Sequence, residues 1–133
     1  MKLLLIIPVF FFINISFGQE IESIYLFKKE LNNKNGFSYF ESDSLVLYKN
    51  GEFYRKKYFW NHEVIESEYN GVWSRNNNIL ELNITSTKEY SKAENIHCSL
   101  VRYYKIKRQR IVPKKGFQCE FKTRRLKRIL GKY

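Results

Sequence analysis

The sequence predicts an all-β protein, an antiparallel meander of about seven or eight short strands that closes into a barrel or a partial barrel. Alanine, the strongest helix former, occurs once, at Ala93. The chain holds 10 Tyr and 11 Phe, which favour strands. Asparagine-rich turn clusters separate runs in which apolar and polar residues alternate. With 133 residues, the chain is long enough for one domain.

The start of the chain has the pattern of a secretory signal peptide. A positive charge precedes a short apolar run, and Ser16 and Gly18 are the small residues that signal peptidase accepts. The run is shorter than the roughly 20 apolar residues that a membrane-spanning helix needs, and Gln19 stands where a lipoprotein has cysteine. We expect cleavage of residues 1–18, which leaves residues 19–133 as a single β domain that is periplasmic or secreted, with no transmembrane span.

The first element of this domain, residues 21–31, fits two interpretations. Its apolar residues have helical spacing and follow acids that favour a helix start. The run from Ile24 to Phe27 fits a strand equally well. An asparagine-rich turn at residues 32–36 ends the element in either case. A short helix therefore stays an alternative here, as it does at the C-terminal end.

The dipeptide Asn50-Gly51 between two β-rich runs is the clearest local signal. This pair favours a two-residue type I′ hairpin, which would place Leu47 opposite Tyr54. Opposed residues share one face of a sheet. We therefore interpret as the interior the face with Leu45, Leu47, Tyr54, Tyr58 and Trp60.

Further strands and turns follow along the chain. The strand at residues 64–74 alternates Ile65, Tyr69 and Trp73 with acids. Pro113 cannot donate a ladder hydrogen bond and should stop or bulge its strand. The remaining expected features are turns at 61–63, 75–78 and 108–109, strands at 80–84, 96–106, 110–112 and 117–123, and a polar loop at 85–95.

Three short motifs are similar to small lipocalin-like proteins that Gram-negative bacteria export. They are Leu45-x-Leu47-x-x-Asn50-Gly51-x-Phe53, Gly71-x-Trp73 and Asn78-x-Leu80-x-Leu82. The resemblance covers residues 45–82 and implies a barrel that binds rather than catalyses. In typical lipocalins the Gly-x-Trp pair lies on the first strand, where its Trp plugs one barrel end. Here the pair lies in mid-chain, so the resemblance leaves the ligand pocket open.

The sequence does not show an arrangement typical of an enzyme. No Gly-x-Ser-x-Gly, phosphate-loop or His-Glu-x-x-His motif occurs. Neighbouring residues on a strand point to opposite faces, which disfavours His97 and Cys98 as a catalytic pair. Together with His62 and Glu63 they match no metal-ligand spacing. We therefore expect no catalysis, no cofactor and no metal.

The two cysteines leave two alternatives. Cys98 and Cys119 are equidistant from the Arg108-Gln109 turn, so an ideal hairpin would place them face to face. Export favours a disulfide between them. The segment from Pro113 to Gly116 would interrupt that hairpin, and two buried thiols are the alternative.

Positive charge is concentrated in the last part of the chain. Residues 105–133 hold 12 Lys or Arg and one acid, whereas residues 19–104 hold 11 basic and 12 acidic residues. A helical C-terminal segment would place Leu126, Ile129 and Leu130 in a stripe suited to an anionic membrane surface. An extended one would add a basic sheet edge that resists aggregation. The candidates for anion contact are Lys122, Arg124, Arg125, Lys127 and Arg128.

Together these patterns predict an exported, non-catalytic binding module. Its hypothesised ligand is a small apolar molecule inside the barrel. The alternative is an electrostatic adaptor that contacts anionic envelope components through residues 105–133. Export disfavours nucleic acid as the partner, and a secreted protein partner and the oligomeric state stay open. The candidate ligand contacts, which would otherwise be ordinary core, are Tyr54, Tyr58, Trp60, Tyr69 and Trp73.

Overall fold

The computed structural model describes residues 19–32, 34–36, 38–89, 100–114 and 125–131. Eight antiparallel strands close into a barrel in chain order, with the last strand paired to the first. The predicted fold class is therefore confirmed. The strands are β1 Ile21–Asn32, β2 Ser38–Tyr48, β3 Glu52–Asn61, β4 Glu63–Asn76, β5 Ile79–Glu89, β6 Val101–Lys107, β7 Arg110–Pro113 and β8 Leu126–Gly131.

A helix was an alternative for residues 21–31 and for the C-terminal end; residues 21–31 are a strand, and so is the described part of the C-terminal end from Leu126 to Gly131. β1 buries alternate residues, Ser23 and Tyr25, and forms ladders with β2 on one edge and β8 on the other. β8 begins at the buried Leu126. Pairing on both edges satisfies the backbone groups of these segments without helical hydrogen bonds. Within the described ranges, no helix long and apolar enough to cross a membrane is found.

The β2–β3 hairpin differs from the expected one by a single residue. Leu47 pairs with Phe53, not Tyr54. Gly51 has a φ of 88° and donates its backbone N–H to Tyr48 O at 3.1 Å, whereas Asn50 is not in the left-handed region. These features define a three-residue loop that ends in a glycine bulge rather than a type I′ turn.

The extra loop residue reverses the two faces of β3, because side chains alternate along a strand. Phe53 and Arg55 are buried in the barrel. Tyr54, Tyr58 and Trp60 therefore lie on the outer face, so the predicted interior assignment of these three residues is wrong.

Side chains fill the middle of the barrel. An eight-stranded barrel is just wide enough for its inward-facing side chains to occupy the interior. Burial of each large aliphatic side chain stabilises the fold by roughly 1.5–3 kcal/mol. The largest fully buried side chains are Tyr104, Leu45, Leu80, Leu82, Ile111 and Leu126.

Trp73 lies at one end of this core and ties β4 to the hairpin loop. Its indole N–H donates to Tyr48 O at 2.9 Å, and its backbone N–H donates to Gly51 O at 2.8 Å. Two residues earlier, a Cβ on Gly71 would lie 1.9 Å from the backbone oxygen of Asn83. The glycine therefore permits the close approach of β4 and β5 at a shift in their register.

The later strands agree with the sequence in part. β5 continues to Glu89, so the predicted polar loop is wrong for residues 85–89. The turn at Arg108 and Gln109 is confirmed, and β7 ends at Pro113 as expected. The predicted strand at 117–123 and the two cysteines lie outside the described residues.

Candidate functional site

The barrel has two ends that differ in their connections. One end, here called the turn end, carries the tight turns between β2 and β3, between β4 and β5, and between β6 and β7. The last residue of β8, Gly131, pairs with Ser23 near the start of β1 at the same end. The opposite end carries the β3–β4 turn at His62, which is exposed and has a φ of 60°.

Among the described residues, five cationic side chains line one open groove beside the turn end. They come from the end of β6, the β6–β7 turn, the start of β7 and the start of β8. The ladders determine this arrangement, because Arg110 pairs with Lys107 on one side and with Lys127 on the other. The residues of this surface, called the basic groove below, are Lys107, Arg108, Gln109, Arg110, Arg125 and Lys127.

The backbone beneath the basic groove is well anchored. Arg128 donates its backbone N–H to Gln109 O at 2.6 Å, which ties β8 to the β6–β7 turn. Ile111 on β7 pairs with Leu126 on β8, and both side chains are fully buried. Lys107, Arg110 and Lys127 therefore extend from paired strands, and for these three only the side chains need to be ordered when a ligand binds.

The electrostatic character of the basic groove is uniform. All five of its cations are exposed, and no acidic residue is among its described lining residues. Like charges directly opposite each other on a sheet destabilise it, so this arrangement does not serve the stability of the barrel. The Debye length is about 8 Å at physiological ionic strength, so neighbouring cations can act on one anion together.

Two of the five predicted anion contacts lie in the basic groove. Arg125 and Lys127 line the basic groove, whereas Arg128 is half-buried opposite Tyr25. Lys122 and Arg124 lie outside the described residues. The sequence interpretation included Lys107, Arg108 and Arg110 in the basic segment 105–133 but did not name them as contacts, because it did not predict that β8 pairs beside the β6–β7 turn.

A second group of charges lies inside the barrel. Arg55 donates two hydrogen bonds to the Asp43 carboxylate, at 2.9 and 2.7 Å, and a third to the Tyr104 hydroxyl at 2.5 Å. Asp43 is 4% exposed and Arg55 is 2% exposed. A bidentate pair of this kind neutralises both charges. We therefore assign this interior cluster of Asp43, Arg55 and Tyr104 to the structure rather than to ligand binding.

A small cleft above the interior cluster opens toward the end opposite the turn end. Its volume is about 150 Å³, well below the roughly 300 Å³ at which small-molecule pockets usually begin. Polar and apolar groups alternate around it, which suits a few water molecules. Its lining residues are Glu41, Ser42, Asp43, Lys57, Tyr58, Phe59, Ile65 and Ser67.

The five aromatic candidates do not form one site. Tyr69 and Trp73 pack against the core from inside, whereas the three on β3 lie on the outer face. One of those three, Tyr58, packs edge-to-face on Phe40, with ring centroids 5.7 Å apart. The barrel wall separates the two groups, so the expectation that they share one interior surface is wrong.

No family model, curated protein or solved structure matches this chain. The similarity to exported lipocalin-like proteins therefore stays a prediction, as does the signal peptide.

Proposed function

We propose that this protein is a non-catalytic adaptor that binds anionic polymers or surfaces through the basic groove. The observation that carries this proposal is the convergence on one groove of five exposed cations that lie on, or next to, three neighbouring strands. Two further findings favour it over an apolar ligand inside the barrel. The middle of the barrel is filled with side chains, and the aromatic candidates lie on both sides of the wall.

The chemistry of the basic groove suits phosphate, sulfate or carboxylate groups. An Arg guanidinium can donate two parallel hydrogen bonds to such a group, whereas a Lys ammonium acts as a compact point charge. The groove contains both kinds of cation. If the expected signal peptide directs export, anionic components of the cell envelope are the partners that the protein would meet.

Binding to heparin, a soluble sulfated polymer, tests this proposal. A variant with Lys107, Arg110, Arg125 and Lys127 all changed to Gln removes four cations from the basic groove. We expect its Kd for heparin, measured by titration, to rise by at least about tenfold, or 1.4 kcal/mol. Wild-type affinity should fall steeply with added salt, because salt screens the attraction.

The matched control removes the same net charge elsewhere. Lys28, Lys29, Lys34 and Lys88 are exposed and lie outside the basic groove. Changing these four to Gln should raise the Kd by much less than the groove variant does. An equal loss in both variants would mean that heparin responds only to net charge, and the groove would not be the binding site.

A further inference from the structure

We infer that the partner of the basic groove is an anionic lipid surface, on which Ile129 and Leu130 enter the interfacial layer. This inference rests on the proposed function and adds the class of partner and the way it is held. Both side chains are on β8, two and three residues after Lys127, and both are large and apolar. Ile129 is 57% exposed and Leu130 is 52% exposed.

A β-bulge explains why two consecutive apolar residues of one strand both face solvent. In a regular strand, neighbouring side chains point to opposite faces, so one of the two would point into the barrel. Here Leu130 pairs with Ile24 and Arg128 pairs with Tyr25, so Ile129 is an extra residue without its own place in the ladder. Bulges of this kind redirect side chains at barrel rims.

The bulge lies beside the basic groove. The hydrogen bond from Arg128 N to Gln109 O joins the residue before the bulge to the turn of the groove. The exposed Ile21 extends the apolar area along β1, which pairs with β8 at the same end. Cations and apolar side chains therefore share the turn end of the barrel.

Acidic residues also occur at this end, namely Glu20, Glu22 and Glu52. Glu20 forms an ion pair with Lys49 at 2.9 Å, and Glu22 on β1 is half-buried. The Glu20–Lys49 ion pair lies beside the β2–β3 turn, whereas the groove cations lie on or next to β6, β7 and β8. The groove cations therefore lie on β8 and toward β7, whereas Glu22 lies on β1, on the other side of Ile129 and Leu130.

This combination favours a lipid surface over the other anionic partners. Peripheral membrane binding combines attraction of cations to anionic headgroups with shallow burial of apolar side chains. A soluble polyanion would gain nothing from Ile129 and Leu130. A protein interface is usually centred on buried aromatic or Arg anchors, whereas these two residues are aliphatic and stand at a rim.

The experiment measures binding of the purified protein to vesicles of phosphatidylcholine with and without phosphatidylglycerol. A variant with Ile129→Ser and Leu130→Ser should bind the anionic vesicles at least about tenfold more weakly, a loss of 1.4 kcal/mol, and bind heparin as the wild type does. The matched control is Val64→Ser with Val72→Ser, on β4, which are 51% and 47% exposed. It should leave both affinities unchanged.

The two probes separate the inference from the proposed function. Loss of heparin binding in the groove variant, with no effect of the serine pair on vesicles, overturns the lipid inference and leaves the adaptor function standing. A groove variant that retains both heparin and vesicle binding overturns both. Equal binding to neutral and anionic vesicles also contradicts the inference, because the groove would then contribute nothing.

A second variant keeps the test independent of any folding defect in the serine pair. Leu130→Trp preserves an apolar side chain at the bulge and adds a fluorescent reporter. On anionic vesicles with brominated acyl chains, its emission should shift to the blue and be quenched more than that of the wild type. Val64→Trp, placed on β4, should show neither change. An unquenched Leu130→Trp on bound protein would exclude insertion.

Discussion

The interior cluster and the basic groove use charged residues in opposite ways. In the interior cluster one Asp neutralises one Arg, both nearly inaccessible to solvent. In the basic groove five charges of one sign lie together at the surface. A buried ion that loses its partner has no water to compensate it, whereas an exposed one stays hydrated. Burial and pairing, rather than charge itself, therefore distinguish structural ions from those available to a ligand.

The interior cluster also explains why the barrel tolerates an arginine among its core residues. Leu45 pairs with Arg55 across the β2–β3 ladder, so a cation lies directly beside a fully buried leucine. Asp43 lies two residues earlier on β2, on the same face, which places its carboxylate within reach. Tyr104 approaches from β6 and completes the cluster. Three strands are thus joined by one set of hydrogen bonds.

Removal of one partner of the interior cluster should have the largest effect on stability. We expect Asp43→Ala to lower the free energy of unfolding by about 3–5 kcal/mol, because it leaves Arg55 buried without its counter-ion. Denaturant unfolding followed by tryptophan fluorescence measures this change. A loss under about 1 kcal/mol would show that the pair behaves as a surface ion pair does.

A double variant separates the effect of the buried charge from the effect of lost side-chain volume. Asp43→Leu combined with Arg55→Met removes both ions and keeps apolar volume, and it should recover much of the stability lost in Asp43→Ala. If the double variant is no more stable than the single one, the loss has a cause other than the uncompensated Arg55.

Neutralisation of the basic groove should have a much smaller effect on stability. The four-site Gln variant should differ from the wild type by no more than about 0.5 kcal/mol per site, in the stabilising direction, because like charges repel across the ladder. The stability of the wild type should increase as salt is added, and that of the variant should increase less. A strongly destabilised variant would mean that these side chains support the barrel.

Much of the architecture could be predicted from local signals. Turn residues and alternating patterns indicated the barrel and most strand positions, because both are determined within a few residues. The register of the β2–β3 hairpin could not be predicted from local signals alone. Asn50-Gly51 is compatible with a two-residue turn and with a bulged loop, and the choice between them reverses every side chain of β3. The bulged loop is the one that buries Phe53 and Arg55, and their burial depends on strands from the whole barrel.

The candidate site was predicted in part for a related reason. Charge in the C-terminal part was visible in the composition, and Arg125 and Lys127 were among the expected contacts. Their grouping with Lys107 and Arg110 depends on the pairing of β8 with β7. That pairing joins residues that are distant in the chain. The exposure of Ile129 depends on a bulge, which leaves no mark in a single sequence.

A third arrangement, paired and partly exposed, occurs on the outer face and should give the smallest effect. Burial raises the pKa of Tyr54 above its ordinary value of 10.0, and a hydrogen bond with Glu68 raises it further. The pKa of Tyr54 is higher in the folded state than in the unfolded state. The contribution of its protonated side chain to the free energy of unfolding is therefore fully present below pH 10.0. It should be lost as the pH rises through the raised pKa.

Tyr54→Phe provides the measurement. The difference in free energy of unfolding between wild type and variant should be constant near neutral pH and should shift in favour of the variant above pH 10.0, because only the wild type must ionise this phenol. Lys56, whose pKa a hydrogen bond with Glu66 raises, is present in both proteins, so most of its own titration cancels. Glu68→Gln should reduce the alkaline shift, since it removes the charge that opposes ionisation. A free-energy difference that does not vary with pH would contradict this prediction. It would show that Tyr54 behaves as a fully solvated side chain rather than as a partly buried one.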